Sequence, residues 1–213
     1  MHYEVFVRYK DQDGVMYPPG AFLPAAERYG VIGLIDRWVV RQALTWLADN
    51  EDHLKKLSLI SINLSSTALS DKTMIDYIHE VIDQAQVDAR KICFEITETA
   101  AVTNLAETCE FISKLQEIGC LCALDDFGAG MSSFSYLKHM PVDFVKIDGS
   151  FVRNIAEDHI DCAMVKSINE IGHVMGKKTI AKYCESEAVY KKLVEMGVDY
   201  AQGNYLSKPA PLC

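Results

Sequence analysis

The sequence predicts an α/β chain folded as one (β/α)8-type barrel of the TIM class, and three observations predict it. Short apolar segments of strand character alternate with amphipathic helical segments along all 213 residues, which is the pattern of βα units on a parallel sheet. Seven strand segments fit in that length, too many for a small doubly wound sheet and one short of a full barrel. Polar side chains recur where the strands run out. The chain starts inside its first strand, so an eighth strand is expected before residue 1.

The elements follow in order. "YEVFVRY" (3–9) reads as a strand, "GAFLPAAERYG" (20–30) as a first helix and "GLIDRWVVRQALTWLADN" (33–50) as a longer one. Strand "LSLISINLS" (57–65) precedes helix "DKTMIDYIHEVIDQAQ" (71–86), whose apolar residues fall at helical spacing. Strand "KICFEIT" (91–97) leads to helix "LAETCEFISKLQEIG" (105–119), then come strands "CLCALDDF" (120–127) and "FVKID" (144–148). Helix "DCAMVKSINEIGHVMG" (161–176), strand "KTIAK" (178–182), helix "EAVYKKLVEMG" (187–197) and a short strand "YAQG" (200–203) complete the chain. The strands are short and apolar, as parallel strands buried on both faces are. No linker, repeat or low-complexity segment interrupts them, so residues 1–213 read as a single domain.

Composition narrows the function. The chain is 49% hydrophobic and 24% charged, with a net charge of −9. That charge argues against a nonspecific grip on DNA, which needs Lys and Arg to neutralise phosphates. It leaves room for a small phosphate-bearing ligand held through cations. The N-terminus lacks a signal peptide's apolar core, no run reaches membrane-spanning length, and a cytoplasmic setting is expected. Seven cysteines are an odd number, and no Cys/His set has zinc spacing. Cys93, Cys120, Cys122 and Cys184, on or beside strands, read as small buried hydrophobes.

The chemistry concentrates at the strand ends: Glu4, Asn63, Glu95, Asp125 with Asp126, Lys146 with Asp148, Lys182 and Gln202. In a barrel these ends share one face, where active sites are built. The acids need compensating charge, because buried carboxylates are costly alone. Their oxygens suit Mg2+ or Mn2+, or Ca2+, and not zinc on cysteine. Adjacent strand residues point to opposite faces, so Asp125 and Asp126 reach one site only where the strand ends, and "FGAG" (127–130) is expected to supply that turn. One aspartate bridging two cations roughly 4 Å apart is the usual two-metal arrangement for phosphate-ester cleavage.

These residues carry a resemblance. "YEVFVR" (3–8), "PPGAFLPAAERYGVIGLIDRWV" (18–39), "SINLS" (61–65), "FEITET" (94–99), "LDDFGAG" (124–130), "VKIDGSFV" (145–152) and "QGNYLSKP" (202–209) resemble, in order, the motifs of the EAL domain, the bacterial cyclic di-GMP phosphodiesterase module. Glu4-Val5-Phe6 stands in place of Glu-Ala-Leu. The resemblance implies a modified TIM barrel with an atypical first strand that runs antiparallel, and the usual opening strand, containing "QPI", is absent here. It implies hydrolysis of cyclic di-GMP to linear pGpG with one or two Mg2+ or Mn2+ ions. Glu4, Asn63, Glu95 and Asp125 would hold the first ion, and Asp125 and Asp126 the second. Lys146 would orient or activate the attacking water, with Asp148 beside it among the catalytic candidates. Arg8 would grip a phosphate, and strand alternation puts it on the same face as Glu4. Glu98 would pin the "DFGAGMSSF" loop, which in the family joins the dimer interface to the metals. Asp36 and Glu185 would accept hydrogen bonds from guanine, Gln202 would line the pocket, and Asp36 reads equally as a salt-bridging neighbour of Arg37. A homodimer is implied, with "MSSFSYLKHM" (131–140) a helix that pairs with its copy or packs on its own barrel, and so is an upstream sensor or cyclase-like domain.

One position departs from the pattern. Active family members usually read Ala-Glu-(Gly or Phe)-Val-Glu where this chain reads Ala181-Lys182-Tyr183-Cys184-Glu185. The first glutamate of that segment would be a ligand of the second metal. An ammonium has only donors and cannot ligate a cation. Lys182 is therefore expected to stand where the second ion would sit, paired with Asp125 or Asp126. Two outcomes follow: the lysine swings out and hydrolysis continues at a reduced rate, or the second ion is lost and the domain is a cyclic di-GMP receptor. A third reading sets the resemblance aside and takes the strand-end acids with Lys146 as a different metal-dependent barrel enzyme, one that abstracts a proton beside a carboxylate.

Overall fold

The structure, a computed structural model, describes residues 1–129 and 134–212. Its strands are β1 (His2–Val5), β2 (Tyr9–Lys10), β3 (Met16–Tyr17), β4 (Leu59–Asn63), β5 (Ile92–Thr97), β6 (Leu121–Phe127), β7 (Phe144–Ile147), β8 (Lys178–Ala181) and β9 (Tyr200–Ala201). The chain divides into two compact units, Met1–Ile96 with Asn104–Cys122, and Thr97–Thr103 with Ala123–Cys213.

In the first unit β1, β4 and β5 lie side by side and parallel, with Glu4 opposite Ser61 and Asn63 opposite Glu95. Val, Ile and Phe dominate these strands. Ile60, Ile62, Ile92, Phe94 and Ile96 are fully buried, as expected of parallel strands covered by helices. The covering helices include Ile32–Asp49, Met74–Ala85 and Leu105–Ile118, which bury Val40, Leu44, Leu47, Ile78, Ile112 and Leu115. Side chains start several helices: Ser65 accepts from the Ala68 amide and Asn104 from the Glu107 amide, satisfying first-turn donors that have no partner inside the helix.

The second unit repeats the arrangement. Strands β6 to β9 pair in parallel with their neighbours in chain order. Leu124, Phe127, Val145, Ile147, Val165, Ile168 and Ala181 make its core, and helix His159–Val174, capped by Asp158, lies after β7 in sequence.

Two expectations are corrected here. The first strand ends at Val5, three residues before Arg8, and a short antiparallel pair, β2 with β3, follows it. The turn between them is built by Asp11, whose carboxylate accepts the Asp13 and Val15 amides, an Asx-turn of the kind that competes with strand. Strand β1 is parallel to β4. Strand β6 runs to Phe127 as read, with the acid pair inside it and not at its end.

Candidate functional site

The first unit brings three of the expected ligands together. Because β1, β4 and β5 are neighbours in register, Glu4, Asn63 and Glu95 come to adjacent strand ends. The Asn63 amide Nδ2 donates to Glu4 Oε1 at 2.6 Å, and Glu95 is buried opposite Asn63. A carbonyl and two carboxylates form a hard-oxygen set whose chemistry fits Mg2+ or Mn2+.

Asp36, on helix Ile32–Asp49, is 5% exposed and turns to Ser65. Ser65 Oγ donates to Asp36 Oδ2 at 2.5 Å, and the Ser65 amide lies 3.4 Å from Oδ1. Burial pushes the Asp36 carboxyl up to about 6, against the pull of the Ser65 bonds. The salt-bridge reading of Asp36 is overturned, since the Arg37 guanidinium reaches Asp71 instead, at 2.7 Å. Arg8 is exposed beyond the strand, donating to the Val7 carbonyl, so alternation from Glu4 does not extend to it. A hollow of 410 Å3 beside Ala48, Leu54 and Lys91 contains none of the site residues.

The second unit gathers the remaining acids around two lysines. The register between β6 and β7 advances by three residues on β6, Leu124 to Phe127, against two on β7, Val145 to Ile147. One residue is therefore extra on β6, a β-bulge at Asp125 and Asp126, and Asp126 adopts a left-handed backbone with φ of 54°. The bulge within a continuing strand, and not a glycine turn after it, aims both carboxylates the same way. They meet Lys182, which follows β8 directly. Its Nζ lies 2.9 Å from Asp125 and 2.6 Å from Asp126. Asp125 Oδ2 accepts the bond, while Oδ1, equally near Lys182, is buried with no hydrogen-bond partner among the described residues. Lys146, almost fully buried on β7, stands 3.9 Å from Asp125 Oδ1.

Charge explains the titration of this cluster. Lys182 is desolvated, but the two aspartates outweigh that and hold its ammonium above the ordinary lysine range. Asp126 nevertheless moves up, because burial and the neighbouring Asp125 outweigh its share of one ammonium. Asp148 caps Gly149–Val152 by accepting the Ser150 amide at 2.8 Å. Burial would raise its carboxyl, yet the Ser150 bonds and Lys182 keep it below the usual range.

Glu98 opens helix Glu98–Thr103 and is buried. Its carboxylate accepts the Gly128 amide at 2.9 Å and the Tyr136 hydroxyl. It thus holds both flanks of the "DFGAGMSSF" segment, whose residues 130–133 lie outside the described residues, as does the start of the 131–140 helix reading. Glu185 is exposed, with Asn204 Nδ2 3.5 Å away. Gln202 is held by its backbone between Ala181 and Cys184.

Comparison with known proteins decides the family: the EAL domain model matches residues 1–209. The chain belongs to the EAL domain family. It is 40% identical over 213 residues to the cyclic di-GMP phosphodiesterase PdeB of Shewanella oneidensis, a match covering 98% of this chain and 24% of that protein. It is 34% identical to the cyclic di-GMP phosphodiesterase PdeF of Escherichia coli, over all of this chain and 28% of the relative. The chain therefore spans only about a quarter of these relatives. Among solved structures, the PaMucR phosphodiesterase in complex with c-di-GMP superposes with a TM-score of 0.91 at 29% identity, covering 98% of this chain and 84% of that one. The EAL domain of FimX from Pseudomonas aeruginosa, bound to c-di-GMP, gives 0.91 at 30% identity, covering 100% and 85%. The fold class is the modified TIM-type α/β barrel of this family.

For an EAL domain with two ions, the donor sets differ in fit. Glu4, Asn63 and Glu95 suit a hard cation. Asp125 and Asp126 do not fit a second ion as they stand, because an ammonium takes their oxygens. Among the described residues, no three His, Cys, Asp or Glu side chains gather closely enough to hold a metal ion. No helix of the described residues is long and apolar enough to cross a membrane. Sequence reasoning gave no role to Ser65, Tyr136, Gly149 or Tyr183, although each lay inside a quoted segment.

Proposed function

We propose that this EAL domain binds cyclic di-GMP and hydrolyses it to linear pGpG far more slowly than a domain carrying a carboxylate at residue 182. The observation that carries the reading is the Lys182 ammonium seated on Asp125 and Asp126 within a chain that otherwise keeps the family's polar residues. Relatives named as cyclic di-GMP phosphodiesterases and similar structures holding c-di-GMP support the ligand.

In this proposal Glu4, Asn63 and Glu95, with Asp125, are the ligands of a divalent ion, Mg2+ or Mn2+. Such an ion supplies a bound water of lowered pKa and stabilises charge on phosphoryl oxygen. The chain's own groups do the rest. Lys146 orients the attacking water, Glu98 fixes the Gly128 segment, and Asp148 shapes the turn after β7. Arg8 contacts a phosphate, Asp36 and Glu185 accept from guanine, and Gln202 borders the ligand. The proposal includes a cytoplasmic homodimer under an upstream sensor or cyclase-like domain.

The receptor reading is kept because one observation favours it: both oxygen-bearing groups of the second-ion position are already bonded to an ammonium. Chromatography of cyclic di-GMP incubated with the chain and Mg2+ or Mn2+, alongside calorimetric titration, separates the readings. Slow appearance of pGpG supports the first, tight binding without pGpG supports the receptor, and failure to bind any guanine dinucleotide refutes both.

A further inference from the structure

Lys182 is not simply a long flexible side chain that happens to find acids. Three non-glycine residues among those described have positive φ: Gln86, which ends a helix, Asp126 and Tyr183. The last two flank the Lys182–Asp126 bond. Tyr183, at φ 57°, turns the chain sharply after Lys182, a conformation that costs energy in a bulky residue and persists only where the surroundings enforce it.

The surroundings are specific. The Tyr183 ring lies against Gly149, so closely that a Cβ on Gly149 would overlap the ring. Gly149 is buried, and its φ is not positive, so the glycine serves space and not backbone freedom. On the ring the Arg153 guanidinium stands 4.1 Å from the centroid, within cation–π range. Backbone bonds fasten either side: the Lys182 amide donates to Ile147 O and the Cys184 amide to Gln202 O.

We propose that Tyr183, seated on Gly149 and capped by Arg153, is a positioning residue that holds the Lys182 ammonium on Asp125 and Asp126 and so closes that acid pair to a divalent cation. The inference rests on the reading of those aspartates as cation ligands and extends it to a residue that touches neither acid.

The test is Mn2+ titration of the intact chain without nucleotide, followed by the electron paramagnetic resonance of free Mn2+. Tyr183→Gly tolerates the positive φ and removes the ring. It is expected to gain one Mn2+ per chain at least tenfold tighter than in the wild type, a gain that Asp126→Asn in the same background abolishes. Tyr183→Phe keeps the ring and is expected to behave as the wild type. Arg153→Ala, which leaves the backbone untouched, is expected to give a smaller gain of about threefold and serves should the glycine variant not fold. If Lys182→Ala gains the Asp126-dependent ion while Tyr183→Gly and Arg153→Ala do not, the clamp is refuted and the lysine blocks alone. If Lys182→Ala gains no ion, the reading of the acid pair itself fails. A lowered melting temperature in Tyr183→Gly with wild-type Mn2+ binding is what a purely structural tyrosine produces, and it also refutes the proposal.

Discussion

Replacing Lys182 by Met removes the charge while keeping most of the apolar stem, and its cost follows from the geometry. The ammonium bonds Asp125 at 2.9 Å and Asp126 at 2.6 Å. The Asp126 side chain is 42% exposed, so water screens and replaces much of that bond, which contributes at most about 1 kcal/mol. The Asp125 side chain is 6% exposed and Lys182 16%, so this half behaves as a buried pair, whose breakage costs about 3–5 kcal/mol. Lys146 remains 3.9 Å from Asp125 and offsets part of the loss. The expected destabilisation is about 2–4 kcal/mol, read as a lower urea midpoint at unchanged slope. The variant also leaves two adjacent carboxylates without a shared cation. Mn2+ at a hundred times its dissociation constant would restore about 2.7 kcal/mol, beyond any effect on the wild type. Equal stability of the two proteins, or an equal response to Mn2+, would refute the reasoning.

Asp36 gives a pH signature. Its folded carboxyl titrates at about 6 against an ordinary 3.8, so the native state binds that proton more tightly than the unfolded chain. The stabilisation is complete below about pH 4 and is lost as pH rises through 6, a change of about 3 kcal/mol. Relative to Asp36→Asn, the wild type should therefore lose ground between pH 4.5 and 7.5 in urea melts; a pH-independent difference contradicts this. Glu98→Gln replaces a charged acceptor by a neutral one, and hydrogen exchange of the Gly128 amide should quicken about tenfold, with Tyr136→Phe giving a smaller effect.

Much of this was legible in the residues, for reasons that can be named. Period and apolar runs locate β4 through β9 because buried parallel strands carry little else. Lys182 stood out because a donor-only side chain sits in a row of strand-end acceptors. Other features escaped for equally physical reasons. The β2–β3 pair is two residues long on each side, and only the Asp11–Gly14 turn chemistry signals it. The bulge at Asp125 adds one residue to a strand, which alternation cannot detect, so a glycine turn was expected where the backbone of Asp126 bends. Asp36 was weighed against its neighbour Arg37, while its partner Ser65 comes from another element. The seat of Tyr183 on Gly149 joins residues far apart in sequence, and neither announces the other.

The most direct measurement is a crystal structure of the chain grown with Mn2+ and cyclic di-GMP, with anomalous scattering used to locate manganese. The account predicts no manganese on Asp126 and the Lys182 Nζ still hydrogen-bonded to both aspartates. A manganese ion shared by Asp125 and Asp126, with Lys182 turned away, would contradict it.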